Sequence, residues 1–328
     1  MPTISIRGNE MPASPIRKLA PLADAAKQRG VHVFHLNIGQ PDLPTPQVAI
    51  DAIRNIDRKV LEYSPSAGYR SYREKLVGYY AKFNINLTAD DIIITSGGSE
   101  AVLFSFLSCL NPGDEIIVPE PAYANYMAFA ISAGAKIRTI ATTIEEGFSL
   151  PKVEKFEELI NERTKAILIC NPNNPTSSAI STADMKKLLT VCRSLGIFVM
   201  IDETYIEFAP EGTSLSAVSL VPEFDNFMVI RGVSKFFAAP GLRFGYGLTS
   251  NQAFLQTLLT HQNPWSLNSI GAYAGERMLK DTDYIQKTWS LIDSERTRMC
   301  TELSGLDTVK IYPAYANFVL VKILKEGL

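Results

Sequence analysis

Histidine, tryptophan and cysteine are scarce in this chain, with three, two and four among 328 residues. The cysteines, Cys109, Cys170, Cys192 and Cys300, lie far apart and make no CxxC or zinc-type spacing. That argues against a metal knuckle or a disulfide framework and for reduced core thiols. No apolar run is long enough to cross a bilayer. The opening MPTISIRGNEMPASPIRKLA has no apolar stretch of the signal-peptide kind, so the expected location is cytoplasmic. An excess of one charge is also lacking. The formal net charge is −2, which removes the electrostatic case for a nucleic-acid partner. No repeat, low-complexity tract or Gly/Ser linker divides the chain.

What is present is ordinary for a globular protein, 46% apolar and 20% charged. The length suits two lobes better than one. From residue 91 to 248 short apolar runs alternate with amphipathic stretches. DIIIT (91–95), DEIIVP (114–119), AILIC (166–170), IFVMID (197–202), FMVIR (227–231) and FGYGL (244–248) read as buried strands. GSEAVLFSFLSCL (98–110) and STADMKKLLTVCRSLG (181–196) read as helices, the second starting at Ser181 and stopping at Gly196. This alternation predicts an α/β fold with a mainly parallel sheet. The expected division is 46–267 as the large domain, with 1–45 and 268–328 forming a smaller α+β one. ANFVLVKI (316–323) is its closing strand.

In such sheets ligands collect beyond the carboxyl ends of strands, and five polar groupings fall there. TSGGSEAV (95–102) puts Gly97, Gly98 and Ser99 at a helix N-terminus, which suits a phosphate, although Gly-Gly before a helix is as often a tight turn. EPAYANY (120–126) puts Tyr123 after a strand, as a ring-stacking or a packing residue. CNPNNPTSS (170–178) fixes turns with two Asn-Pro pairs and leaves the Asn174 amide needing partners. IDETYIEF (201–208) ends an apolar strand in Asp202, which must find a partner elsewhere in the fold or in a ligand, or else caps a helix. Tyr205 follows three residues on. RGVSKFFAAPGLRFGYG (231–247) isolates Lys235 among small and aromatic residues, where a lowered pKa would make it a nucleophilic amine, and adds Arg243 for a phosphate. Each grouping has a bland explanation. Taken in order they make a complete set for pyridoxal 5'-phosphate, which has a phosphate, a flat ring, a phenolic oxygen, a protonatable nitrogen and an aldehyde.

The same residues resemble the class I/II aminotransferases, which are fold-type-I pyridoxal-phosphate enzymes, and among them most the broad aspartate/aromatic group. The resemblance runs from PASPIRKLAPLADAAKQRGVHVFHLNIGQPDLPTP (12–46) to ANFVLVKI, through the ordered motifs NPxNPT, D-x-x-Y, S-K and R. It implies that Lys235 carries the cofactor as a Schiff base, Asp202 pairs with the ring nitrogen, and Asn174 and Tyr205 bond the phenolic oxygen. It implies further that Tyr123 stacks on the ring, and that Gly98, Ser99, Ser234 and Arg243 hold the phosphate. Tyr63, in EYSPSAGYRSYREKL (62–76), would reach the phosphate of a neighbouring subunit, making the active unit a homodimer. Gly39, in NIGQPD, would lie with Asn174 near the substrate carboxylate. The implied reaction passes an amino group from an L-amino acid to a 2-oxo acid by ping-pong kinetics, with no membrane or nucleic-acid partner. A C–S lyase or an amino-acid decarboxylase on the same scaffold stays open, whereas a non-enzymatic effector role has little support.

Three departures stand out. Gly232 replaces the first serine of Ser-x-Ser-Lys, removing one phosphate hydroxyl. Ser177 stands where NPTG has glycine, a change expected to affect only the turn. The chain stops at Leu328, before the family's carboxylate-binding arginine, so the substrate clamp is expected to be incomplete as written. Ser99 is neutral and 255–268 holds no Arg or Lys, leaving His261 as the sole candidate cation there. The substrate side chain stays open.

Overall fold

The computed structural model describes residues 3–36, 39–210 and 214–325, apart from the side chains of Pro15, Ile16 and His261. The candidate cation His261 therefore lies outside the described side chains. Seven strands form one sheet: β1 (Ile92–Thr95), β2 (Glu115–Glu120), β3 (Lys136–Ala141), β4 (Thr164–Cys170), β5 (Phe198–Asp202), β6 (Phe227–Gly232) and β7 (Gly245–Leu248). Their order is β1-β7-β6-β5-β4-β2-β3. The β2/β3, β2/β4, β4/β5 and β5/β6 ladders are parallel, and β7 alone runs antiparallel to its two neighbours. All six expected strands are present and the sheet is mainly parallel, as the alternating pattern predicts.

The apolar runs are continuous because both faces of the sheet are covered. Successive side chains divide between two cores, as the period of two requires. Ile167, Ile169, Val199, Ile201, Phe227 and Val229 join one core, with Leu76 of the helix Arg70–Ala81 and Leu188 of the helix Thr182–Ser194. Leu168, Met200, Met228 and Ile230 point the other way, toward Val102 and Phe106 of the helix Gly98–Cys109 and Ala130 of the helix Asn125–Ala133. Ser181 caps its helix as expected, its Oγ accepting from Asp184 N at 3.1 Å.

Two elements differ from the reading of the sequence. KIRTIA (136–141) forms the edge strand β3, whose exposure and two basic residues hide the apolar signal. ANFVLVKI does not form one strand over 316–323. Only Val321–Ile323 pairs, as β9 with β8 (Val309–Ile311), in a small antiparallel sheet. At the start of the stretch the Ala316 amide, like that of the preceding Tyr315, bonds Ser177 in the loop after β4 instead.

Candidate active site

The carboxyl ends of β1, β2, β4, β5 and β6 bring the five polar groupings together. After β6 the chain turns so that Val233 N bonds Phe244 O at 3.2 Å and Ala238 N bonds Lys235 O at 3.0 Å. The Lys235 Nζ donates to Gly39 O at 2.5 Å and lies 5.9 Å from the centroid of the Tyr205 ring. Burial lowers its pKa first and the Arg243 guanidinium second, while Asp202 opposes both. The backbone at Gly39 runs close to the lysine amine: a Cβ there would stand 2.9 Å from Lys235 Nζ and 3.3 Å from Tyr205 Oη.

Asp202 ends β5 at 8% exposure. Its partners are neutral donors from the fold. Tyr126 Oη donates to Oδ2 at 2.7 Å, and Thr204 donates to Oδ1 through its amide at 3.0 Å and its hydroxyl at 2.5 Å. Asp202 caps no helix, since the short turn Ile206–Phe208 that follows begins at Tyr205; it is an aspartate held by a phenol and by its own turn. Tyr126 was not singled out from the sequence, although EPAYANY sets it three residues after Tyr123 and hence on the same face. The two rings meet edge-to-face at 5.4 Å. Tyr123 accepts from Asn125 Nδ2 at 2.8 Å, and burial, with Asp202 second, raises its pKa.

Opposite Asp202 in the ladder is Cys170, a buried thiol whose pKa burial and then Asp202 push up. All four cysteines are free, as expected. The loop beyond it carries Asn174, whose Nδ2 donates to Tyr205 Oη at 3.4 Å. Burial raises the Tyr205 phenol, with Cys170 and Asp202 adding to the effect. Phe318 stands edge-on to the Tyr205 ring at 5.2 Å.

At the end of β1, Gly97 has φ +82° and the helix Gly98–Cys109 begins. The Arg243 guanidinium lies against this turn: a Cβ at Gly97 would be 2.6 Å from Nη2. Arg243 itself has φ +53°, and its Nη1 donates to Pro240 O at 3.1 Å. Free amides at a helix start beside a guanidinium form an anion site. Ser99 and Ser234 are half-buried. A side chain at Gly232 would press to 3.2 Å on the Phe244 carbonyl, so the close approach of β6 and β7 suits glycine there. At Gly245 a Cβ would run into Gly97 and Gly98, which is how β7 supports the cradle.

A buried charge cluster beneath these residues was also missed. Arg231 on β6 bonds Glu203 Oε2 through Nη2 at 2.7 Å and Nε at 3.0 Å, and Glu207 Oε1 through Nη1 at 3.3 Å. Ser216 Oγ donates to Glu203 at 3.0 Å. Burial raises the Glu207 carboxyl pKa, and Arg231 opposes it. Charges paired only through folding leave no local signal in the sequence.

Tyr63 is not gathered with the others. It is 79% exposed and lies against Trp265, ring centroids 5.0 Å apart. An exposed ring is what reaching a neighbouring chain requires. Among the described residues no helix is long and apolar enough to cross a membrane, and no group of His, Cys, Asp and Glu could hold a metal ion.

The family model for aminotransferase class I and II matches residues 31–327. An aspartate aminotransferase of Thermotoga maritima is 29% identical over 98% of this chain and 85% of its own length. A putative threonine-phosphate decarboxylase of Caldanaerobacter subterraneus is 29% identical over 87% of this chain and 74% of its own. The structure of aspartate aminotransferase from Thermus thermophilus with maleate superposes with a TM-score of 0.87 and 26% identity, covering 98% of this chain and 85% of that one. Fold-type-I architecture, with its mostly parallel sheet, is shared with these enzymes.

Proposed function

Because this chain belongs to the class I and II aminotransferases, we propose that it transfers the amino group of an L-amino acid to a 2-oxo acid with pyridoxal 5'-phosphate as cofactor. The family uses that cofactor, and the donor set fits it. An amine of lowered pKa, a carboxylate, an amide paired with a phenol, and a guanidinium beside a helix start converge on one place. The backbone at Gly39 and Gly97 approaches the Lys235 amine and the Arg243 guanidinium closely, and Gly97 has the φ of +82° that favours glycine. When bound, pyridoxal phosphate supplies an aldehyde that condenses with amines and a ring that accepts the electron pair left at the substrate Cα.

In this reading Lys235 would hold the cofactor through its aldehyde until substrate binds. Its Nζ is then free to take the Cα proton, and its lowered pKa keeps a neutral fraction available for that work. Asp202 keeps a proton on the ring nitrogen, and Tyr126 and Thr204 hold the carboxylate in place for it. Tyr205 and Asn174 would bond the phenolic oxygen, and Tyr123 would cover the ring. The Gly98 amide, Ser99, Ser234 and Arg243 hold the phosphate, joined by Tyr63 of a second copy in a homodimer. Gly39 and Asn174 border the substrate carboxylate. Two half-reactions on one cofactor give ping-pong kinetics.

The observation that carries this reading is the convergence of Lys235 Nζ, Asp202 and the Asn174–Tyr205 pair at the carboxyl ends of adjacent strands. Decarboxylation is the second reading, favoured by the similarity to a putative threonine-phosphate decarboxylase. The purified enzyme should be yellow, and borohydride should fix the cofactor to Lys235. A Lys235→Ala variant that is still labelled would overturn the lysine assignment. A panel of amino donors with 2-oxoglutarate should give a 2-oxo acid and glutamate in equal amounts. Release of CO2 with an amine would establish the decarboxylase instead.

A further inference from the structure

Ser177 has no part in the chemistry above, yet its conformation is costly. It is fully buried and has φ +62°. The left-handed region costs a residue with a Cβ about 1–2 kcal/mol, and a glycine here would avoid that cost. The hydroxyl explains the serine. Its Oγ accepts from Tyr315 N at 3.0 Å and from Ala316 N at 2.9 Å, while Ser177 O shares the Tyr315 amide at 3.0 Å. The loop that carries Asn174 is closed on itself by Ser177 N to Asn173 O and Asn173 N to Ser178 O, both 2.8 Å. From the other side the buried Arg296 donates to Ala316 O at 3.1 Å and to Phe208 O at 2.6 Å. Two residues beyond Ala316 is Phe318, edge-on to Tyr205. The change from glycine therefore does more than alter the turn.

We propose that Ser177 is a positioning residue whose hydroxyl clamps the segment 315–318 to the Asn174 loop and so sets the wall that Phe318 builds beside Tyr205. Ser177 is three positions from Asn174 and Ala316 two positions from Phe318, so one hydroxyl fixes the spacing of both sides of the substrate space. A glycine cannot make these bonds; the Tyr315 amide would keep Ser177 O, but the buried Ala316 amide would be left without its acceptor. The assignment of a substrate space rests on the aminotransferase reading, but the clamp itself does not.

The test compares Ser177→Gly and Ser177→Ala with the wild type as cofactor-loaded enzymes. Both lose the acceptor, but only alanine keeps the conformational cost, so the alanine variant should melt lower. Hydrogen exchange of the Ala316 amide should quicken about tenfold in both, as loss of a buried acceptor implies, while Tyr315, which keeps Ser177 O, changes less. With the best amino donor from the panel, KM should rise several-fold in both variants by the same factor, with kcat within twofold. Exchange unchanged in both would overturn the clamp. KM that follows melting temperature, altered in alanine and normal in glycine, would overturn the positioning role. A wild type that turns over no donor refutes the functional reading, and the exchange comparison still decides the clamp.

Discussion

Replacing Arg231 by methionine tests how the sheet supports the lysine turn, since Arg231 lies four residues before Lys235 and is 5% exposed. The change removes three hydrogen bonds to two carboxylates and one to Ser216 Oγ at 2.7 Å. Methionine fills much of the space, so the loss is chiefly the stranding of Glu203 and Glu207 without a cation. Breaking a buried pair in this way costs about 3–5 kcal/mol. At roughly 2 °C per kcal/mol for a chain of this size, the apo protein at neutral pH should melt about 6–10 °C lower. The pH dependence follows from Glu207. Its folded pKa already lies above the ordinary 4.5 because of burial, with Arg231 holding it down. Without the arginine it rises further, so the folded variant binds more protons than its unfolded chain over a wider range. Stability is therefore lost as pH rises through that range, and the gap to wild type should be small at pH 4 and largest at pH 8. Replacing Arg231 by methionine and both glutamates by glutamine together should recover most of the loss, because no charge is stranded. Thermal unfolding of the three proteins at both pH values is the assay. A single variant that loses under about 1 kcal/mol, or equally at pH 4 and pH 8, would mean that Arg231 does not hold two buried carboxylates charged.

Three further outcomes are expected. Tyr126→Phe keeps the ring contact with Tyr123 but removes the 2.7 Å bond to Asp202, which should cost about 1.5–3 kcal/mol in chemical denaturation. A smaller loss than that from Tyr123→Phe would contradict the role given to Tyr126. Asp202→Ala should still bind cofactor but lose most turnover, measured by visible absorbance and by rate, and unchanged rates would remove Asp202 from the chemistry. In the apo protein the Lys235 amine should react with an acylating reagent at a midpoint below the usual 10.5. Arg243→Gln should move that midpoint upward only in part, because burial is the larger cause. An unmoved midpoint would show that the guanidinium does not act on the amine.

The large sheet was legible because its strands are buried on both faces, so β4, β5 and β6 read as plain apolar runs bounded by turn residues. The edge strand β3 was not, since exposure lets Lys136 and Arg138 interrupt the pattern. ANFVLVKI has strand composition throughout, but Tyr315 and Ala316 give their amides to Ser177, and only the last three residues find a β partner. Propensity was overridden by a tertiary hydrogen bond. At the site, Lys235, Asp202, Tyr205, Asn174 and Arg243 could be picked out because each sits at a strand end in a fixed order. Tyr126, Arg231, Glu203 and Glu207 could not, since a buried phenol or ion pair looks like any other until its partner is known.

The sequence by itself determined the alternation of strands and helices and the polar residues at the strand ends. Both are local properties: apolar period, turn chemistry and residue order along the chain. The tertiary structure decided which groups meet. It supplied Asp202 with a phenol from residue 126, placed an arginine between two glutamates, set Gly39 against the lysine amine, and joined Ser177 to residues 315 and 316. These pairs are separated by 24 to 196 positions. Their energies come from burial and distance, which exist only once the sheet has brought the strand ends together.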